Sequence, residues 1–430
     1  MRVLIIGANG FIGARLATAL SAAGHETIIG VHQTTPSQGN LDSDRFMYVD
    51  LTRDVSADWI KRLEGVDAVI NAAGAMTGDL EALHARGPIA LFDACARLGI
   101  RHVIQISALG ADISAETWFL RSKAKADAHL CGLREKYGFS GWCVLRPSLV
   151  LGRGGGSMAQ FSALAALPFP PRLAAGAWRV QPLHVTDLAA AVLILLLPDI
   201  EVPAYLNLVG PEEMTTDQLT GLLRGWLGLP PARLIPIKES VLTIAAGLGR
   251  LLPNAAWRPE TMAMLHRGNT ADPAPAQAYG VQIRPIAEAL AHDPATQADL
   301  VAARMAPLLP IIRSALAFVW IGSGVIPITL TPEPINHNLL TGLGLNQELG
   351  RIVLYAGAAL DVAIGLALLF WRRPATWFLL GQVGIILLLT LLASLAAPQA
   401  WLDPFAPLLK NLALLAASLS LFAMSTPVEI

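Results

Sequence analysis

The chain opens on a short β-branched run, Met1-Arg2-Val3-Leu4-Ile5-Ile6-Gly7, and similar apolar runs recur at 26–31, 68–71, 102–107 and 142–146. Between them lie helical patterns at 14–23, 87–98 and 122–137. Strand and helix alternating at this spacing predict an α/β fold, a doubly wound parallel sheet covered by helices on both faces. After Arg146-Pro147 the pattern loosens into Gly- and Pro-rich stretches at 152–156 and 168–171. The apolar run 188–197 is bounded by Asp187 and Pro198. It is far shorter than the roughly 20 residues that span a bilayer, so it reads as a buried helix. The segment 272–276 reads as a loop.

The tail reads differently. Four long apolar stretches, 306–328, 352–371, 377–396 and 407–424, are separated by short connectors and predict a four-helix transmembrane domain. Trp320, Trp371, Trp377 and Trp401 are candidate interfacial anchors. Arg304 precedes the first stretch and Arg372-Arg373 separate the second from the third. The other connectors carry Glu333, Glu348 and Asp403, with Arg351 at one edge and Lys410 just inside the last stretch. This placement puts both termini on the cytoplasmic side of a multi-pass, bacterial-type inner membrane. The start has no secretory-signal pattern, which keeps the front part in the cytoplasm. The expected organisation is a nucleotide-binding core over 1–150, a substrate-side subdomain over 151–300 and a membrane domain over 304–430.

Composition sharpens the division. Hydrophobic residues make up 54% of the 430 and charged residues 15%, against roughly 25% charged in soluble domains. From Ser314 to Ile430 only nine residues are charged. A wholly water-soluble protein and a disordered one are both excluded. A formal net charge of -1 excludes a broad electrostatic footprint for nucleic acid. Three cysteines without a CxxC spacing give neither a disulfide framework nor a zinc site and fit a reducing compartment. His184 and Asp187 lack a third ligand, so a place at the start of a helix is expected and no metal is called. Arg153, among glycines, is a candidate partner for a phosphate or carboxylate.

The strongest chemical signal is Gly7-Ala8-Asn9-Gly10-Phe11-Ile12-Gly13, directly after the first strand and opening the first helix. Glycines there permit a tight turn and the approach of a pyrophosphate to the helix amino terminus. With Gly24-His25-Glu26, Asp50-Leu51, Asn71-Ala72-Ala73-Gly74, Ser107, Phe119-x-x-x-Lys123, Arg146-Pro147-Ser148 and His184-Val185-Thr186-Asp187-Leu188, the front part resembles the extended and atypical short-chain dehydrogenase/reductases. These are proteins of the NAD-dependent epimerase/dehydratase type, with a Rossmann-type sheet. The resemblance implies a dinucleotide held by Gly7, Asn9, Gly10, Phe11, Ile12 and Gly13, with Asp50 and Leu51 by the adenine and Ala72 by the ribose. Asp50 as an ordinary solvated loop residue is the alternative.

Two departures from that pattern matter. NAD-preferring relatives end the second strand in a carboxylate that meets the ribose 2′-OH. Here the place reads Val31-His32-Gln33, which tilts the cofactor towards NADP over NAD. His32 would help to neutralise a 2′-phosphate or is a plain surface residue. The family's catalytic Tyr-x-x-x-Lys reads Phe119-x-x-x-Lys123, on one helix face, and phenylalanine has no proton to give. Ser107 and Lys123 are the remaining catalytic candidates, and Lys123 also has the family role of binding the nicotinamide ribose.

The tail resembles the four-helix DoxX-like family through its layout and its Leu-Leu-Lys-Asn-Leu entry to the last helix. The combination implies a membrane-anchored NAD(P)-binding oxidoreductase-like protein, with a quinone, another apolar compound or a membrane redox partner at the bilayer as candidate acceptor. The alternative is a non-catalytic nucleotide-binding scaffold, similar to the short-chain-like accessory subunit of respiratory complex I. Asp361 falls near the middle of the second span, where a charge costs about 2.5–3.5 kcal/mol. An ion pair with Arg313 of the first span, or with Lys410 reaching inward from the fourth, is one expectation, the alternative being a carboxyl that is protonated or bonded to its own helix.

Overall fold

The computed structural model describes residues 1–32, 45–198, 200–238, 240–241, 259–332, 340–342, 344–371, 374–402 and 408–425. Gln33, Glu333, Arg372, Arg373 and Asp403, used in the readings above, lie outside the described residues, as do the start of the fourth apolar stretch and the carboxy terminus. The chain divides into two compact units, Met1–Thr243 with Pro259–Ala303, and Ile244–Arg258 with Arg304–Ile430.

In the first unit the strands β1 (Arg2–Ile6), β2 (Glu26–Val31), β3 (Phe46–Tyr48), β4 (Ala68–Asn71), β5 (His102–Ile106), β6 (Gly141–Pro147) and β7 (Tyr205–Leu208) form one sheet. Every pairing in it is parallel, in the order β7–β6–β5–β4–β1–β2–β3. Its helices are α1 (Phe11–Ala22), α2 (Ser56–Arg62), α3 (Gly87–Leu98), α4 (Trp118–Tyr137), α5 (Gly156–Ala166), α6 (Val185–Leu195) and α7 (Thr216–Trp226). The central stretch of β1, Val3 to Ile6, is an unbroken apolar run because both its faces are covered. Val3 and Ile5 pack with Leu16, Leu20, Leu188 and Val192, whereas Leu4 and Ile6 pack with Trp59, Leu91, Phe92 and Trp142. Each such side chain contributes about 1.5–3 kcal/mol on burial.

α4 begins a turn earlier than its apolar pattern suggests, because Thr117 caps it by accepting from the Leu120 amide. It ends where Gly138 takes a left-handed φ of 73°. The run 188–197 falls in α6 as far as Leu195, and the inner positions of that helix are buried. The segment 272–276, expected as a loop, carries the short helix Ala274–Ala278. Asp272 Oδ1 accepts from the Ala274 amide at 2.9 Å, and a proline near its start suits a helix opening.

In the second unit α8 (Leu308–Thr329), α9 (Gln347–Phe370) and α10 (Thr376–Ala396) are long and apolar enough to cross a membrane. The fourth apolar helix, α11 (Lys410–Ser425), has 16 residues and is shorter than the other three. Glycine brings α8 and α9 together. A Cβ on Gly324 would collide with the Ala358 carbonyl, and one on Gly365 would lie 2.8 Å from the Ala317 carbonyl. Arg313 does not pair with Asp361. Its guanidinium donates instead to the carbonyl oxygens of Leu368 and Trp371, groups at the end of α9 that the helix itself leaves without an amide partner.

Candidate functional site

Gly7 to Gly10 turn the chain from β1 into α1, beside the point where the strand order reverses between β1 and β4. Open α/β sheets bind ligands at such a crevice. Gly7 has φ +80°, and a Cβ there would lie 2.8 Å from the Ala73 backbone. Gly10 donates its amide to Gly7 O at 2.9 Å, and a Cβ on Gly13 would collide with the same oxygen. Ala14 is the first residue whose amide bonds back into α1, to Gly10 O at 2.9 Å. The amides of Phe11, Ile12 and Gly13 are therefore left to partners outside the helix. No acidic residue or side-chain cap occupies this end, so it suits an anion such as a pyrophosphate. Asn9 is exposed beside it, and Ala72 donates its amide to Ile6 O at 2.9 Å. The Phe11 ring packs beneath Gly155, where a Cβ would lie 2.8 Å from it.

Asp50 is not a solvated loop residue. It is buried, and its Oδ1 accepts from the Thr52 amide at 2.9 Å and hydroxyl at 2.6 Å. Those bonds hold its carboxyl below the usual range despite burial. His32 Nδ1 stands 3.7 Å and Arg53 Nε 3.8 Å from the same carboxylate. Leu51 is buried with its carbonyl against α3, at Gly87, where any Cβ would collide with it.

Further along the sheet edge, Lys123 is buried and donates from Nζ to Ile106 O at 3.0 Å, 5.7 Å from the centre of the Phe119 ring. Burial lowers its pKa to about 8, with Asp127 acting in the opposite sense. A Cβ on Gly74 would lie 3.6 Å from Lys123 Nζ and 3.8 Å from His84 Nε2. His84, from the π-helical turn Ala82–Arg86, meets the Phe119 ring edge-on at 5.3 Å. Ser122 donates to Phe119 O at 3.0 Å, so its oxygen accepts from His84 Nδ1 at 3.0 Å. His84 Nε2 in turn accepts from the Ala75 amide at 3.1 Å. Burial, and then the Lys123 charge, lowers the His84 pKa to about 3. The imidazole is neutral and both its nitrogens are used.

Ser107 donates to Asp127 Oδ2 at 2.6 Å, and Arg146 reaches the same oxygen from Nη2 at 3.2 Å. Asp127 is fully buried, which raises its pKa against the pull of Ser107 and Arg146. His84 and Asp127 escaped the sequence reading. Asp127 had a signal, since it lies one turn beyond Lys123 on the same face of α4; His84 had none. Arg153 is taken by carboxylates of this chain, Asp293 and Asp299. His184 caps α6 by accepting from the Thr186 amide, and Asp187 accepts from Arg284 Nε at 2.9 Å.

Residues 3–205 match the model of the NAD dependent epimerase/dehydratase family, and residues 317–419 that of the DoxX-like family. The chain joins an epimerase/dehydratase-type domain to a DoxX-like domain. The mitochondrial NADH dehydrogenase [ubiquinone] 1 alpha subcomplex subunit 9 of Arabidopsis thaliana is 27% identical over 237 residues. That match takes in 51% of this chain and 56% of the relative, so the chain spans just over half the relative's length. UDP-glucose 4-epimerase of Thermotoga maritima is 15% identical with a TM-score of 0.50, covering 72% of this chain and 100% of that one. The NAD complex of the Thermus thermophilus UDP-glucose 4-epimerase is 20% identical with a TM-score of 0.48, covering 66% and 94%. The Thermotoga likeness shows the fold of the epimerase/dehydratase-type domain.

Proposed function

We propose that the epimerase/dehydratase-type domain holds NADP or NAD as a fixed part of a membrane redox assembly, without turning it over. The pyrophosphate would lie on the amides of Phe11, Ile12 and Gly13, with Asn9 and Gly10 at the turn. Asp50 and Leu51 would flank the adenine, Ala72 the ribose, and Lys123 the nicotinamide ribose. His32 and Arg53, both beside the Asp50 carboxylate, would help to neutralise a 2′-phosphate and so favour NADP. A bound nicotinamide supplies hydride chemistry, but alcohol–carbonyl interconversion also needs a proton at the reacting oxygen. The observation that carries the reading is the occupation of that place by Phe119, with its edge-on neighbour His84 holding no free nitrogen. Ser107 donates its hydroxyl hydrogen bond to Asp127. The name of the Arabidopsis relative, a subunit of an NADH dehydrogenase, supports the setting.

A second reading keeps catalysis. Lys123 is present with its pKa lowered to about 8, and hydride transfer to a quinone or another apolar acceptor needs no tyrosine. In both readings the apolar helices anchor the chain in an inner membrane, with the nucleotide-binding domain and both termini in the cytoplasm. Purification in detergent followed by denaturation and analysis of the released nucleotide tests the shared premise. NADP or NAD released in a near-stoichiometric amount is expected. A chain that carries none and takes up none would overturn it.

A further inference from the structure

A cavity of about 90 Å³, opening into a wider surface hollow, lies within the second unit, and each of the four helices supplies a wall. Trp320 and Ser323 come from α8, Asp361 from α9, Ile386 and Leu389 from α10, and Asn411 from α11. Val319 and Leu389 line it and are themselves exposed on the outside of the helices. The cavity therefore opens towards the surface that faces lipid.

Asp361 makes no hydrogen bond or ion pair with a described residue, and the cations nearby do not serve it. Arg313, on α8, is engaged by the carbonyls of Leu368 and Trp371. Lys410 precedes the lining Asn411 and has an interaction partner of its own. α10 carries no charged side chain, and Arg351, on α9 itself, lies ten residues before Asp361. A carboxylate at this depth costs about 2.5–3.5 kcal/mol, a cost that the neutral acid avoids. An apolar amine entering from the lipid removes that penalty. The Asp361 O–H bond breaks, an N–H bond forms, and the charge created on nitrogen is met at once by the carboxylate. An aromatic wall attracts the cation further, and Ser323 and Asn411 offer oxygens for its remaining N–H groups. An alcohol of the same shape leaves Asp361 neutral and gains only a neutral hydrogen bond, roughly half as strong as a charged one.

We propose that this cavity binds a lipid-soluble amine, held as its ammonium ion against the carboxylate of Asp361.

Equilibrium dialysis of the full-length protein in lipid nanodiscs, with 4-phenylbutylamine and 4-phenylbutan-1-ol as probes, tests it. The amine is expected to bind the wild type at least about tenfold more tightly than it binds Asp361→Asn, as loss of one partner of a buried charge pair implies. Asp361→Glu should restore part of that binding, and the alcohol should not distinguish the variants. Undiminished amine binding to Asp361→Asn would overturn the proposal. So would equal binding of amine and alcohol to the wild type, a contrast that decides the matter even if the variant fails to fold.

Discussion

Ser107 Oγ lies 2.6 Å from Asp127 Oδ2, and this bond joins the residue that follows β5 to the inner face of α4. The carboxylate is buried and also receives Arg146, so the serine proton is held by the protein. Under the proposed reading, the place where a reductase would present a proton to its substrate is thus closed from two sides. Phe119 has no hydroxyl there and Ser107 donates inward.

The His84 imidazole gives the first unit a specific response to acid. Its folded pKa is about 3 against an ordinary 6.5, so between these values the unfolded chain binds a proton that the folded chain refuses. Stability then falls with falling pH through that window by up to about 1.4 kcal/mol per unit. His84→Gln should flatten this slope in urea unfolding between pH 6.5 and 4, while lowering stability at neutral pH. A slope equal to that of the wild type would show that His84 titrates normally.

Gly13 is less replaceable than Gly10. A methyl group there would run into Gly7 O, whereas one on Gly10 would lie 3.2 Å from it, a contact that a small shift relieves. Gly13→Ala should cost about 1–3 kcal/mol or more and abolish nucleotide binding. Gly10→Ala should keep most of the stability. The opposite order in thermal unfolding would contradict the packing described for β1 and α1.

Arg313 and Asp361 sit on neighbouring helices without touching. Arg313→Gln removes donors to the Leu368 and Trp371 carbonyls and should destabilise the detergent-solubilised protein. Asp361→Asn removes a group that has no described partner. Their effects on thermal unfolding should add to within about 0.5 kcal/mol. A double variant that loses clearly less than the sum would restore the ion pair expected from sequence.

The front sheet was legible because a strand buried on both faces must be apolar throughout, and Val3 to Ile6 meet that demand residue by residue. The Phe119–Lys123 relation was legible for a related reason, since a spacing of four fixes a helix face. The Ser107–Asp127 bond was not, because it joins residues 20 apart through the register of β5 against α4. His84 meets Phe119 from the π-helical turn Ala82–Arg86, which no periodicity announces. Arg313 and Asp361 were paired by depth alone, whereas depth says nothing of rotation, and the carbonyls at the end of α9 competed for the guanidinium. The short α11 is a matter of its ends, which composition marks poorly.

The most direct test of the central claim is a redox challenge to the purified full-length protein carrying its reduced dinucleotide. Nicotinamide absorbance is followed while a short-chain ubiquinone and then a panel of aldehydes and ketones are added. The nucleotide should stay bound and reduced, in the wild type and in Phe119→Tyr alike in the presence of quinone. Steady oxidation over many turnovers, abolished by Lys123→Met in a variant that still binds the nucleotide, would contradict a fixed, non-catalytic role.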